Sequence, residues 1–226
     1  MSINLPLYQQ VALLAIHDDK GTFQAEFVEY LLAGAILAEL MLKGCVSITS
    51  NDKRVSVVAS ERISDKLLAN ALDVLKRATK PLKLKSAVSK IAGQKNLKHE
   101  VARSLCSAGI LKAEQDKILL VFTRQLYPEI NPVPEQQIKQ ALHELITHKG
   151  ADPVPQMVVL VSLLQVSGLL KKHFDKAFLK QYKDRIERIA KGDVVGEATK
   201  EVIEACQMVI LMTAILPAIT STVIAN

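Results

Sequence analysis

From Ala25 to Gly44 the chain reads AEFVEYLLAGAILAELMLKG. The run predicts a helix from about Ala25 to Lys43 that stops at Gly44, the glycine on which helices commonly end. Upstream, Leu5 to Ile16 reads as an apolar helix ended by the turn Asp18-Asp19-Lys20-Gly21. Downstream comes a hairpin pattern. Val46 and Ile48 alternate with polar residues, Asn51-Asp52-Lys53 turns, and Arg54 to Val58 returns. Ser64 stands as N-cap of a helix through about Ala78, with Leu67, Leu68, Ala71, Leu72 and Leu75 as its apolar stripe.

Lys83 to Ile91 reads as a short helix closed by Gly93. Leu97 to Ala108 reads as another, with Asn96 as N-cap and Gly109 as stop. A second hairpin enters at Ile110-Leu111, turns at Glu114-Gln115-Asp116 and returns along Ile118 to Phe122. Pro128, Pro132 and Pro134 mark a loop before a helix over Glu135 to His148. After a loop from Gly150 to Pro155, Gln156 to Leu170 is nearly all apolar, hence buried on most sides. Phe174 to Lys191 is amphipathic, and Glu197 to Leu216 closes the chain. The expected fold is mainly α, a compact helical domain with two small β-hairpins, residues 1–226 forming a single domain.

Charge is unevenly spread. Eight of the 29 Lys and Arg lie between Lys76 and Lys98 (Lys76, Arg77, Lys80, Lys83, Lys85, Lys90, Lys95, Lys98), and no Asp or Glu lies between Val74 and His99. Outside this block the remaining 21 bases face 23 acids. The block thus carries the whole positive excess. Such a block addresses something anionic, or else keeps a solvated face soluble.

Cys45, Cys106 and Cys206 are far apart within apolar stretches, which fits buried thiols in a reducing compartment. Met1 to Leu7 lacks the features of a signal peptide. Ala205 to Ile224 approaches the length of a membrane span, but Gln207, Thr213, Pro217, Thr220, Ser221 and Thr222 interrupt it. It reads as a buried central helix ending near Pro217, with a C-terminal tail anchor as the alternative.

No phosphate loop, dinucleotide fingerprint or Gly-x-Ser-x-Gly elbow occurs, and the cysteines lack metal spacing. His143-Glu144-Leu145-Ile146-Thr147-His148 is one residue too long for the zinc helix motif, since i and i+5 lie about 140° apart on a helix. Asp18 and Asp19 read as solvated turn residues, and Cys106 as core. No cofactor or metal is expected, and an enzyme is disfavoured.

Several stretches carry a resemblance. Gly34 to Gly44 resembles the Gly-x-x-Leu-x-Glu-Leu-x-Leu-x-Gly helix of the Golgi phosphoprotein 3 family. Leu13-Leu14-Ala15-Ile16 with Asp18 to Gly21 is similar to that family's opening helix and turn. Leu67 to Leu72, Val101 to Leu105 with Gly109-Ile110-Leu111, and Leu160 to Phe174 resemble later segments in the same order. The chain is identified as similar to the short, prokaryotic-type members.

The resemblance implies a mainly helical fold with hairpins. It also implies a peripheral protein: eukaryotic members bind phosphatidylinositol 4-phosphate at the Golgi and sort glycosyltransferases into coatomer vesicles. Of the family's headgroup pocket, the two basic residues three apart fall on Lys95 and Lys98. The arginine position falls on Ala33, the tryptophan position falls near Gln24, and the chain has no tryptophan. The family's Arg-rich N-terminal tail has no counterpart before Leu5. The apolar hairpin tip that contributes to membrane contact and self-association falls on Ile118 to Phe122, making Leu119, Leu120 and Phe122 candidates. The alternative is that neighbouring helices cover both faces of that strand.

The resulting expectation is a cytoplasmic, non-enzymatic protein, peripheral to the membrane, docking on anionic lipid or a phosphorylated ligand. Lys95 and Lys98 would contact the anion at a helix start, and Lys85 and Lys90 would add attraction. One alternative is a winged-helix-like nucleic-acid module built from Leu97 to Ala108 and the second hairpin, although Glu114 and Asp116 would then face phosphate. A protein–protein scaffold is the other.

Overall fold

The computed structural model describes residues 5–25, 27–49, 51–58, 63–118, 122–148, 153–195 and 203–204. Helix α1 (Leu7–Ala15) and helix α2 (Val28–Leu42) form its centre. All of α1 is buried, and α2 is buried from Leu31 through Met41. Around α2 pack α1, α3 (Lys66–Lys76), α4 (Leu84–Ala92), α5 (Leu97–Ser107) and α7 (Pro155–Val166). The buried apolar side chains make one continuous cluster.

A helix buried at its start needs acceptors for its first N–H groups. Pro6 precedes α1 and caps nothing. The carboxylate of Glu39, in the last turn of α2, does so instead: its Oε2 accepts the Leu7 N–H at 2.8 Å. Gln156 Nε2 of α7 reaches the same oxygen at 3.4 Å, and Lys43 Nζ lies 3.3 Å from Oε1. One carboxylate therefore ties three helices together.

Strands β1 (Val46–Ile48) and β2 (Arg54–Val57) form the expected first hairpin, paired Val46 with Val57 and Ile48 with Val55. A third strand was not foreseen. β3 (Leu82–Lys83) pairs antiparallel with β2, Val55 to Leu82 and Arg54 to Lys83, so α4 begins only at Leu84. The cap of α3 also moves by one. Asp65, not Ser64, accepts the N–H groups of Leu67 and Leu68 at 2.9 and 3.0 Å, and its other oxygen takes the Tyr8 hydroxyl. A carboxylate that serves two elements outcompetes a neighbouring hydroxyl.

The second hairpin turns elsewhere than expected. β4 (Glu114–Ile118) pairs with β5 (Phe122–Leu126) in the register Glu114 to Leu126 through Ile118 to Phe122. Glu114 to Asp116 is strand, not turn, and of the expected returning strand Ile118 ends β4 while Phe122 begins β5. Asp116 and Arg124 face each other and their side chains pair at 3.1 Å, which favours the strand state over the weak turn preference of a Glu-Gln-Asp run. Leu119 and Leu120 lie outside the described residues.

Helix α6 (Val133–Thr147) precedes α7. α7 stops at Val166, short of the expected Leu170, where Gly168 takes a φ of 73° before the single turn α8 (Leu170–His173). The expected helix over Phe174 to Lys191 is two, α9 (Lys176–Gln181) and α10 (Lys183–Ala190), broken at Tyr182. Asp175 caps α9 through the Phe178 N–H at 2.8 Å. Cys45 is buried and Cys106 half-buried. The expected helices over Glu197 to Leu216 and Ala205 to Ile224 lie outside the described residues, apart from Ile203 and Glu204. Among those described, no helix is long and apolar enough to cross a membrane.

Candidate anion-binding face

The basic block is spread over the end of α3, the 77–81 connection, β3, α4 and the start of α5. Leu84, Ala87, Val88 and Ile91 bury one side of α4, which leaves Lys85 and Lys90 to solvent. Lys76, Arg77, Lys80, Lys83, Lys85, Lys90 and Lys95 are all exposed, and none of the seven has an acidic partner within ion-pair distance among the described residues. Lys53 joins them. It sits in the β1–β2 turn, exposed, and its carbonyl accepts the N–H of Leu84 at 2.9 Å. Sequence reading missed Lys53 because only the sheet register brings it to the block.

Lys98 differs. Its Nζ lies 2.9 Å from Oε1 of Glu29, in the first turn of α2. Burial pushes the Glu29 carboxyl up, but the Lys98 hydrogen bond, the helix backbone and the Lys98 charge outweigh it and hold the group below the usual carboxylate range. The pair Lys95 and Lys98 is therefore one free charge and one neutralised charge. Ala33 is fully buried in α2, and Gln24 is half-buried with its N–H on the Ala15 carbonyl, so neither can reach an anion as arginine or tryptophan would.

Asn96 starts α5 as expected, but at φ 59° and ψ 26°, a left-handed conformation in which its side chain caps nothing. His99, on the first turn, shares a 2.9 Å hydrogen bond with the Tyr127 hydroxyl. Burial, then the charges of Lys98 and Arg103, push its pKa down, so it stays neutral and adds no charge to the face near neutral pH.

Two polar clusters lay beyond the sequence reading, because each joins residues distant in the chain. A cavity of about 310 Å³ lies between α1, α3 and α5. Its polar groups are mostly spent on one another: Tyr8 donates to Asp65 at 2.6 Å, Gln9 donates to Ser104 at 2.9 Å, and Arg103 pairs with Glu100. Burial, and then Asp65, push the Tyr8 hydroxyl pKa up.

In the second, Asp18, Glu129 and Glu135 bring carboxylate oxygens within 4.8 Å of one another. Asp18 is exposed in its turn, as expected, and its carboxylate lies at the edge of this cluster. Lys139 Nζ stands 3.0 Å from Glu135 Oε1. Burial, with the charges of Glu135 and Asp18, pushes the Glu129 carboxyl up to about 7. Lys139 opposes that rise but does not cancel it.

The two histidines of the near-zinc sequence have separate partners. His143 stacks on Phe178 with ring centroids 5.1 Å apart, while His148 ends α6 beside Thr147.

Comparison with known proteins gives two findings. The model of the family described as Golgi phosphoprotein 3 (GPP34) matches residues 7–206. A curated relative, Vacuolar protein sorting-associated protein 74 of Eremothecium gossypii, is 22% identical over 170 residues, which covers 66% of this chain and 51% of that protein. The chain spans about half the length of that relative.

Proposed function

The chain belongs to the Golgi phosphoprotein 3 family, and from that premise we propose that it is a non-enzymatic peripheral protein that docks on anionic membrane surfaces through the Lys76–Lys98 face. One observation carries the reading: seven exposed basic side chains in succession, none ion-paired among the described residues. Each such charge near an anionic bilayer contributes about 1 kcal/mol. Lys85, Lys90 and Lys95 act as a diffuse array, and Lys98 joins them when an anion displaces Glu29. A phosphoinositide headgroup is one anion this face would accept. Membership of the Golgi phosphoprotein 3 family, and similarity to a vacuolar protein sorting-associated protein, support association with Golgi-type sorting membranes. The apolar run Ile118 to Phe122, with Leu119, Leu120 and Phe122, would add self-association or lipid contact.

Sedimentation with vesicles tests this. Vesicles containing phosphatidylserine or phosphatidylinositol 4-phosphate should carry the protein down, and binding should fall steeply as salt rises, because exposed charges are screened within ~8 Å at physiological ionic strength. Equal binding to pure phosphatidylcholine at low and high salt would remove the reading. Competition by an oligonucleotide at equal phosphate concentration would favour the nucleic-acid alternative.

A further inference from the structure

Phe27 is the one aromatic among the large exposed apolar side chains of the described residues, with 43% of it open to solvent. Its backbone is also unusual. φ is 51° and ψ 39°, a left-handed conformation that bulky residues rarely take and that stores strain. What Phe27 gives to α2 is its carbonyl, which accepts the N–H groups of Tyr30 and Leu31. Any residue supplies a carbonyl, and glycine would do so without the strain. Leaving 43% of the residue in solvent on a left-handed backbone is costly for folding twice over. Packing accounts for the covered part of the ring and not for the exposed part.

Its neighbourhood does. Two residues further on, Glu29 is bonded to Lys98, so Phe27 borders the corner where α5 begins. Exposed Lys95, three residues before Lys98, has no ion pair among the described residues. Three non-glycine residues of the described chain have a positive φ: Phe27, Lys53 and Asn96. All three border the basic face, Lys53 beside Leu84 of α4 and Asn96 between Lys95 and Lys98. Strain concentrates where a surface is shaped for contact. An exposed ring on the border of a basic face is the composition of an interfacial membrane contact, the ring at the headgroup–acyl boundary and the lysines among phosphates.

We propose that Phe27 is an interfacial anchor that inserts into the headgroup–acyl boundary of an anionic bilayer while Lys95 meets the lipid phosphates. The inference rests on the membrane reading above and adds a depth and an orientation to it.

The chain has no tryptophan, so Phe27→Trp creates a single fluorescent probe at the site. The vesicles are phosphatidylcholine with phosphatidylserine. On their addition the Phe27→Trp emission should shift to the blue and lose its quenching by aqueous iodide. Val166→Trp, placed at a position 40% exposed on α7, should keep its emission. Phe27→Gly should bind these vesicles about tenfold more weakly, the loss expected for one buried aromatic side chain. Its melting temperature should be unchanged or raised, since the strain is relieved.

Co-sedimentation of Phe27→Trp with no spectral change would overturn the anchor and leave docking standing, as would wild-type binding by Phe27→Gly. An equal shift from Val166→Trp would mean unoriented adsorption and would overturn it too. A lowered melting temperature in Phe27→Gly would make the ring a packing residue. Wild-type protein that ignores these vesicles would overturn both readings.

Discussion

Lys98 Nζ and Glu29 Oε1 stand 2.9 Å apart, joining the first turn of α5 to the first turn of α2. The carboxylate holds the place a ligand phosphate would need. Glu29→Gln should therefore strengthen binding to phosphatidylserine vesicles about fivefold, by freeing one cation worth about 1 kcal/mol. Lys98→Ala should weaken it, because the Glu29 carboxylate is then left unpaired. The bridge is not a sensor of mild acid: the carboxyl titrates below its ordinary range, so its contribution is present above that range and lost only as pH falls through the lowered pKa. Sedimentation at pH 7 and pH 5.5 should give the same ratio between Glu29→Gln and wild type.

A pair of double variants separates a pocket from an array. Lys83→Ala with Lys85→Ala removes two free charges. Lys95→Ala with Lys98→Ala removes one free charge and exposes Glu29. With Lys98 held by Glu29, the two should weaken vesicle binding to within about threefold of each other. A far larger loss from the second pair would show that Glu29 yields to the ligand and that a defined headgroup site forms.

Glu39 predicts a stability effect far from the charged face. Glu39→Ala leaves the Leu7 N–H without an acceptor in a buried place and unties α1 from α2 and α7. The expected cost is about 2–4 kcal/mol, read from the midpoint of urea unfolding. Lys43→Ala, which removes only the half-exposed partner of the same carboxylate, should cost under about 1 kcal/mol.

Glu129 predicts a pH dependence. Its folded pKa is raised to about 7, above the unfolded value near 4.5, so the folded state holds the proton more tightly. Its contribution is fully present below the unfolded pKa and is lost as pH rises through the folded one. Glu129→Gln should match wild type in melting temperature near pH 4.5 and exceed it increasingly up to about pH 7.5. A constant difference across that range would mean that the carboxyl titrates normally.

How much was readable beforehand depended on how local the cause was. Helices α1 to α7 were legible because their apolar spacing and terminal glycines are local. Gly21 was legible as a turn glycine, but its reason was not: at φ 60° it lets the backbone of Tyr127 and Pro128 pack against it, and a side chain would collide with both. The turn of the second hairpin was misplaced because the Asp116–Arg124 cross-strand pair is visible only once the register is known. The block of lysines was plain in the sequence. That Lys98 alone is neutralised was not, since Glu29 lies 69 residues away in the chain.

Ile118 ends β4 and Phe122 begins β5, and the two pair across the hairpin. Leu120→Asp should leave the circular dichroism spectrum intact while reducing light scattering from self-associated protein or vesicle binding. An unfolded variant would mean that the run is core, and a folded one with unchanged assembly and binding would clear the hairpin of any role.

Two hydrogen-bonded residues, Leu82 and Lys83, sew the middle of the basic block to β2. A polybasic tail without such a stitch would gather its charges wherever phosphates lie and would surrender chain entropy in doing so. Here that entropy is already lost on folding, and the spacing of the cations is set by the sheet and by α4. The surface is then a ruler: it should respond to how densely anions are packed in a bilayer more steeply than to how many anions the solution contains.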